Sequence, residues 1–427
     1  MNKTKEIWIT GFALFSLFFG AGNLILPPSL GVKSGLDWWV VVFGFALTAV
    51  TIPILAIFAH AKLQGTLFDF GKKVSPVFSY IYCFLIYLIA IAIPSPRTAA
   101  VTHEMTVQPY LNSHSLYTSI LYFLLVFVFV MNRSKIISLI GKFLTPLIVF
   151  ILFLIIAIAL FLSPEITSPS IFTTPFVDGL LEGYQTFDAI GGVVVGAVII
   201  ISLNYNKDTT FQEKKELITK AGIIAGTGLL LIYGGLILSG HLFSSTFSEN
   251  ASRIDILTGL STQTLGDFGT AFLSVLVALA CFTTAVGVVT GASDYIKGVC
   301  NNSNNAYLIT AIISCVLGVI VGSYQVDFII DIAVPALLFL YPITIVLILL
   351  NLVPDNYATK TIFRAVVLVT FIFSIPDFLG FITNSDELVE VKNIIPLANY
   401  SLGWVLPAFA TFLILNLISI NSRNVKT

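Results

Sequence analysis

Apolar residues run through this chain in long blocks separated by short polar intervals. Such blocks predict membrane-crossing helices, since a bilayer core about 30 Å thick takes roughly 20 apolar residues in helical form. About twelve blocks qualify in a sliding window. They cover residues 7–30, 38–61, 77–93, 116–131, 136–162 and 176–203, then 217–239, 268–296, 307–322, 328–352, 362–382 and 397–418. The longest intervals, 204–216 and 240–267, are too short to carry a core of their own. The expected fold class is therefore an all-α integral membrane protein with a single transmembrane domain over 1–427, and any chemistry must be intramembrane.

Composition agrees with that pattern. Of the residues 57% are hydrophobic and 10% charged, against about 25% charged in a soluble domain. A net charge of -1 with no basic patch argues against nucleic acid as a partner. Cys83, Cys281, Cys300 and Cys315 show no CxxC or Cys/His spacing and are expected to be packing residues. The first block lacks a small-residue cleavage site and is not expected to be a signal peptide. Lysines and arginines concentrate in alternate intervals (Lys62, Lys72, Lys73; Arg133, Lys135; Lys214, Lys215, Lys220), which places both termini in the cytoplasm by the positive-inside rule.

Two blocks are interrupted. In the first, Gly20-Ala21-Gly22-Asn23 precedes Pro27-Pro28. Each glycine costs about 1 kcal/mol of helix stability against alanine, and Asn23 competes with the backbone for hydrogen bonds. Close helix packing would account for the glycines alone; with Asn23 a break at membrane depth is expected, where the freed backbone faces protein or a cavity. In the sixth, Glu182-Gly183-Tyr184-Gln185-Thr186-Phe187-Asp188 carries two acids at or inside a span, and an intramembrane acid is a functional candidate by default. Interfacial placement of Glu182 and helix capping by Asp188 are equally open readings. Breaks in blocks one and six divide ten spans into two sets of five, so the second set enters with opposite polarity. That is the inverted-repeat plan of many secondary transporters, with the substrate at the breaks. The repeats would be 7–162 and 176–352, followed by two further helices over 362–418.

In block eight, the Ala280 carbonyl and the hydroxyls of Thr283 and Thr284 share one helix face. Such oxygens suit a hard cation, although threonines in apolar helices also bond back to the preceding turn.

The run Phe12-Ala13-Leu14-Phe15-Ser16-Leu17-Phe18-Phe19-Gly20-Ala21-Gly22-Asn23-Leu24-Ile25, the segment Pro96-Arg97-Thr98-Ala99 followed by Glu104, and Glu182-Gly183-Tyr184-Gln185-Thr186 followed by Asp188 resemble the branched-chain amino acid carriers of bacteria. The resemblance implies a cation-coupled symporter of leucine, isoleucine and valine in a bacterial cytoplasmic membrane, with a leucine-transporter-like fold of 5+5 inverted repeats. It implies substrate contacts from Gly20, Ala21, Gly22, Asn23, Tyr184, Gln185 and Thr186. By similarity to the wider fold it implies a Na⁺ site from backbone oxygens of Ser16 and Phe19 with Ala280, Thr283 and Thr284. Membrane lipids are the expected surroundings; no cofactor and no obligate protein partner are expected.

Arg97, Glu104, Glu182 and Asp188 are candidates for gating or coupling. For Arg97 and Glu104, seven residues apart beyond block three, a snorkelling interfacial arginine and an exposed loop glutamate are the alternative. His60 is expected at the inner interface, and Asp331 as a possible partner of Arg97. Proton coupling through Asp188 or Glu104, or another small solute, are the nearest rival readings. An intramembrane enzyme is remote, because no HExxH or GxSxG occurs, and a channel lacks a filter-like repeat or a ring of like charges.

Overall fold

The computed structural model describes residues 3–20, 22–111, 113–132, 135–162, 169–204, 210–248, 250–383 and 386–424. These residues are helical almost throughout, with no strand among them. Nine helical stretches among them are long and apolar enough to cross a bilayer.

Helix α1 (Lys3–Phe18) buries Gly11, Leu14, Phe15 and Phe18, the i, i+3, i+4, i+7 stripe of one face. Its other face leaves Trp8, Phe12 and Leu17 exposed, as a lipid-facing surface would. The chain leaves the helix at Phe19 and Gly20 and resumes as α2 (Gly22–Ser34), which is buried along nearly its whole length. Pro27 and Pro28 lie inside α2 rather than ending it. Lacking N–H groups, they leave the carbonyls of Asn23 and Leu24 without their i+4 donors.

After α2 the chain turns back through α3 (Trp38–Ala46), a π turn at Leu47–Thr51 and α4 (Ile52–Leu63). The π turn ends two residues before Pro53, whose missing N–H lets the ladder slip. Short α5 (Leu67–Gly71) leads to α6 (Pro76–Ala92), then α7 (Pro94–Thr102) and a π turn at His103–Val107. This corrects the third block, which was expected to end at Ile93. Pro94 occupies the first turn of α7, where proline starts a helix instead of stopping one. Arg97 and Glu104 are thereby drawn into a helix.

Next come α8 (Ser115–Asn132), α9 (Lys135–Leu162), and the second interrupted pair, α10 (Pro175–Tyr184) and α11 (Asp188–Asn204). Helix α12 (Phe211–Leu242) is followed by α13 (Arg253–Val299), which is divided at Gly266, where φ 71 and ψ -178 suit only glycine. The remainder is α14 (Asn304–Gly322), α15 (Val326–Leu352), α16 (Lys360–Ile382), the short α17 (Asp386–Ile394) and α18 (Val405–Asn424).

Helices α2 and α12, and α3 and α10, meet backbone to backbone. A Cβ on Gly31 or Gly240 would strike the Ile237 or Pro28 carbonyl, and one on Gly44 or Gly179 the Phe176 or Val41 carbonyl. Helices α7, α8, α13 and α14 share a smaller apolar cluster that includes Ala99, Phe123, Val126, Val286, Val289 and Ala311, while α7 and α13 also contribute Val101 and Leu257 to the main core. Helix α15 packs against α4, α11 and α16. Among the cysteines, Cys83, Cys281 and Cys315 are buried, but Cys300 is exposed at the end of α13 and does not pack as expected.

Candidate functional site

Both breaks form as expected, and they meet. At the first, Phe19 N–H still reaches the Phe15 carbonyl (3.0 Å) and Asn23 N–H closes a turn onto Gly20 (3.2 Å). Ala21 lies outside the described residues. At the second, Gln185, Thr186 and Phe187 donate to the carbonyls of Glu182, Gly183 and Tyr184 (3.0, 3.3 and 3.1 Å), a tightened last turn of α10. Phe187 takes φ 63, a left-handed conformation that interrupts the helix before α11. Thr186 then accepts from the Asp188 N–H (3.2 Å) while its own hydroxyl donates to Gly183 (2.8 Å).

Because Thr186 serves the start of α11, the Asp188 carboxylate is free to reach across the molecule. Asn23 Nδ2 donates to its two oxygens at 3.0 and 2.9 Å, and the Tyr233 hydroxyl of α12 donates at 2.9 Å. Asn23 also bonds the Phe18 carbonyl (3.1 Å) and touches the Tyr233 hydroxyl. Asn23, Asp188 and Tyr233 are 2%, 3% and 1% exposed, so a carboxylate is held by side-chain donors with almost no water. Such a group persists in an apolar interior only when its acceptor sites are filled.

Arg97 stands beside this centre, 3% exposed. Its Nη1 donates to the Gln185 carbonyl (2.9 Å), its Cζ lies 5.4 Å from the centroid of Phe187, and its Nη2 lies so close to Gly22 that it would have to shift to make room for a Cβ there. It is neither interfacial nor paired with Glu104. Glu104 instead accepts from the Val326 N–H (2.8 Å) at the start of α15, and Asp331 is exposed. Tyr184 stacks on Tyr341 of α15 with centroids 4.3 Å apart.

Toward the end of the molecule opposite the N-terminus, a cavity of ≈ 200 Å³ opens above Tyr184 and Gln185, walled by Leu30, Leu181, Leu337 and Leu338. Glu182 sits on its rim. Arg253 donates to Glu182 from Nε (3.1 Å) and Nη2 (2.9 Å) and to Asp327 from Nη1 (2.7 Å), tying α10, α13 and α15 together.

The oxygens expected for a cation are engaged locally. The hydroxyls of Thr283 and Thr284 both donate to the Ala280 carbonyl at 2.9 Å. The Ser16 side chain bonds Thr145 of α9 (2.8 Å), and no hydrogen bond joins α1 to the Ala280 turn among the described residues. His60 is fully buried rather than interfacial, with Nε2 2.6 Å from the Val193 carbonyl of α11.

Residues 3–422 match the sequence profile described as branched-chain amino acid transport protein. The chain belongs to that family. Members are amino acid permeases and not enzymes. One curated relative, the branched-chain amino acid transport system 2 carrier protein of Pseudomonas aeruginosa, is 33% identical over 95% of this chain and 94% of its own length. Among solved structures, Mhp1 in an inward-facing conformation superposes with a TM-score of 0.61 at 13% identity, covering 97% of this chain and 91% of that one. A Na⁺-coupled sialic acid symporter in a substrate-bound, outward-open state gives 0.58 at 14% identity, with 96% and 90% covered. At such identities the likeness establishes the fold: this branched-chain amino acid carrier is a multi-pass helical membrane protein with a leucine-transporter-like arrangement.

Proposed function

We propose that this carrier imports leucine, isoleucine and valine by symport with Na⁺, binding the amino acid between the α1/α2 and α10/α11 breaks and exposing it alternately to the two sides. The observation that carries the reading is the direct hydrogen bonding of Asn23, at the first break, to Asp188, at the second. Two interrupted helices so joined give a buried polar point surrounded by unwound backbone, the arrangement by which secondary transporters bind near mid-membrane. Gly20, Ala21, Gly22, Tyr184, Gln185 and Thr186 would complete the pocket, with the Tyr184–Tyr341 pair on its apolar side.

Twelve spans follow when α1/α2 and α10/α11 each count as one and α18 as the last. The repeats then run over 7–162 and 176–352, with 362–418 appended, both termini are cytoplasmic, and the cavity above Gln185 faces outward. Sodium is assigned to Ala280, Thr283 and Thr284, with backbone oxygens of Ser16 and Phe19. Its support is the oxygen-only chemistry of that turn, together with the Na⁺ coupling of the sialic acid symporter. Occupying the site would require the two hydroxyls to rotate off the Ala280 carbonyl and α1 to approach α13.

Proton coupling through Asp188 is the second reading, favoured by the position of one buried carboxylate between both breaks and α12. Radiolabelled leucine uptake into proteoliposomes, under an inward sodium gradient, an inward proton gradient or neither, separates the two. Sodium-driven uptake suppressed by excess isoleucine and valine is expected. Proton-driven uptake would transfer the coupling role to Asp188, and absence of leucine uptake under every gradient would refute the substrate.

A further inference from the structure

A guanidinium keeps its charge at every physiological pH, so the Arg97 cation needs a counterion wherever it is buried. Among the described residues no carboxylate lies within ion-pair distance of it; the acid nearest in function, Asp188, is taken up by Asn23 and Tyr233. One edge of the fork is spent on the Gln185 carbonyl, and its Cζ sits over the Phe187 ring. The Nη2 edge is pressed against Gly22, the first residue of α2. That helix start carries the positive end of a helix dipole, which favours an anion. A second, independent feature lies at the other break, on the residue whose carbonyl Arg97 already holds: the side-chain oxygen of Gln185 is buried and has no hydrogen-bond partner. A donor fork against one break and an unfilled acceptor at the other are complementary to a zwitterion, with its carboxylate toward Arg97 and its ammonium toward Gln185.

We infer that Arg97 anchors the carboxylate of the transported solute and that Gln185 Oε1 receives its ammonium group. The inference rests on the reading that an amino acid binds between the breaks, and it deepens that reading by naming the groups that recognise the main-chain end of the substrate.

The test uses purified carrier in proteoliposomes and measures inhibition of labelled leucine uptake by leucine, by leucinol, which lacks the carboxylate, and by 4-methylpentanoate, which lacks the amine. In the parent protein leucinol should inhibit at least about 100-fold more weakly than leucine, as expected where a site is built to hydrogen-bond the missing group. In Arg97→Gln, leucine should weaken to the level of leucinol while leucinol itself changes by less than about threefold, collapsing the discrimination. A merely structural role would weaken both together. Arg97→Lys, which keeps the charge but not the fork, serves if the glutamine variant does not fold, and should show an intermediate ratio. Gln185→Leu should narrow the gap between leucine and 4-methylpentanoate without altering the leucinol ratio. Full discrimination retained in Arg97→Gln, or in Arg97→Lys if that alone folds, would overturn the inference. If the parent transports a different amino acid instead of leucine, the proposed substrate fails while the anchor is judged by the same acid and alcohol comparison on that solute.

Discussion

Asp188 concentrates the polar chemistry of the two breaks. As a carboxylate it accepts from Asn23 and Tyr233; asparagine in its place would turn one acceptor into a donor facing donors. Hydrogen bonds to a charged group contribute about 1.5–3 kcal/mol each, so Asp188→Asn should lower the rate of leucine uptake by more than about tenfold. Tyr233→Phe, which removes one donor and leaves the rest, should cost less than that, and initial-rate uptake on both variants checks the order. At this scale the sequence is informative where a polar residue interrupts an apolar run, as Asn23 and Asp188 do. Tyr233 and Tyr341 are silent, because an aromatic body with a polar tip fits an apolar run whether or not its hydroxyl has work to do. Arg97 is visible as a charge but misplaced, since it falls beyond the third apolar block, where a new helix in fact begins at Pro94.

At the scale of elements, the proposed ion site and the rim of the cavity can each be tested. If the α13 turn holds sodium, the double variant Thr283→Ala/Thr284→Ala removes two of its oxygens, and the sodium concentration for half-maximal uptake should rise by roughly tenfold, the equivalent of about 1.4 kcal/mol. Normal sodium dependence in that variant would remove the assignment. The Glu182–Arg253–Asp327 chain spans three helices at the rim of the cavity, with Arg253 side-chain exposure of 15%. Breaking a partly buried pair of this kind costs about 1–3 kcal/mol, below the figure for a fully buried one. Arg253→Gln should therefore open the rim, seen as at least about fivefold faster labelling of a Leu337→Cys reporter by an impermeant thiol reagent. Sequence alone shows the acids and the arginine but not their meeting, because Glu182 and Arg253 are separated by α11 and α12.

At the scale of the whole molecule, the all-helical membrane class and both breaks are readable from apolar blocks and their interruptions. The seams between helices are not. They depend on which glycines face which backbone, and a glycine gives no sign of its direction. Gly44 and Gly179 let α3 and α10 touch main chain to main chain, and Gly31 and Gly240 do the same for α2 and α12. Gly44→Val should prise the first pair apart at a cost of about 1–3 kcal/mol or more, detectable as a lower melting temperature in detergent. Serine or alanine at the exposed Gly298, with nothing within 4 Å of its Cβ position, should leave it unchanged.

Those side-chain-free seams bear on how faithfully the carrier would convert one gradient into another if it works by the proposed symport. Helices locked at the main chain turn as one piece, so half of the proposed pocket could not switch sides while the other half stays. A symporter with that constraint wastes few cycles: charge should cross the bilayer only in company with an amino acid. Under that proposal, loosening the Gly44 seam should appear as slippage, a sodium current that persists when leucine is withheld, before it appears as lost uptake.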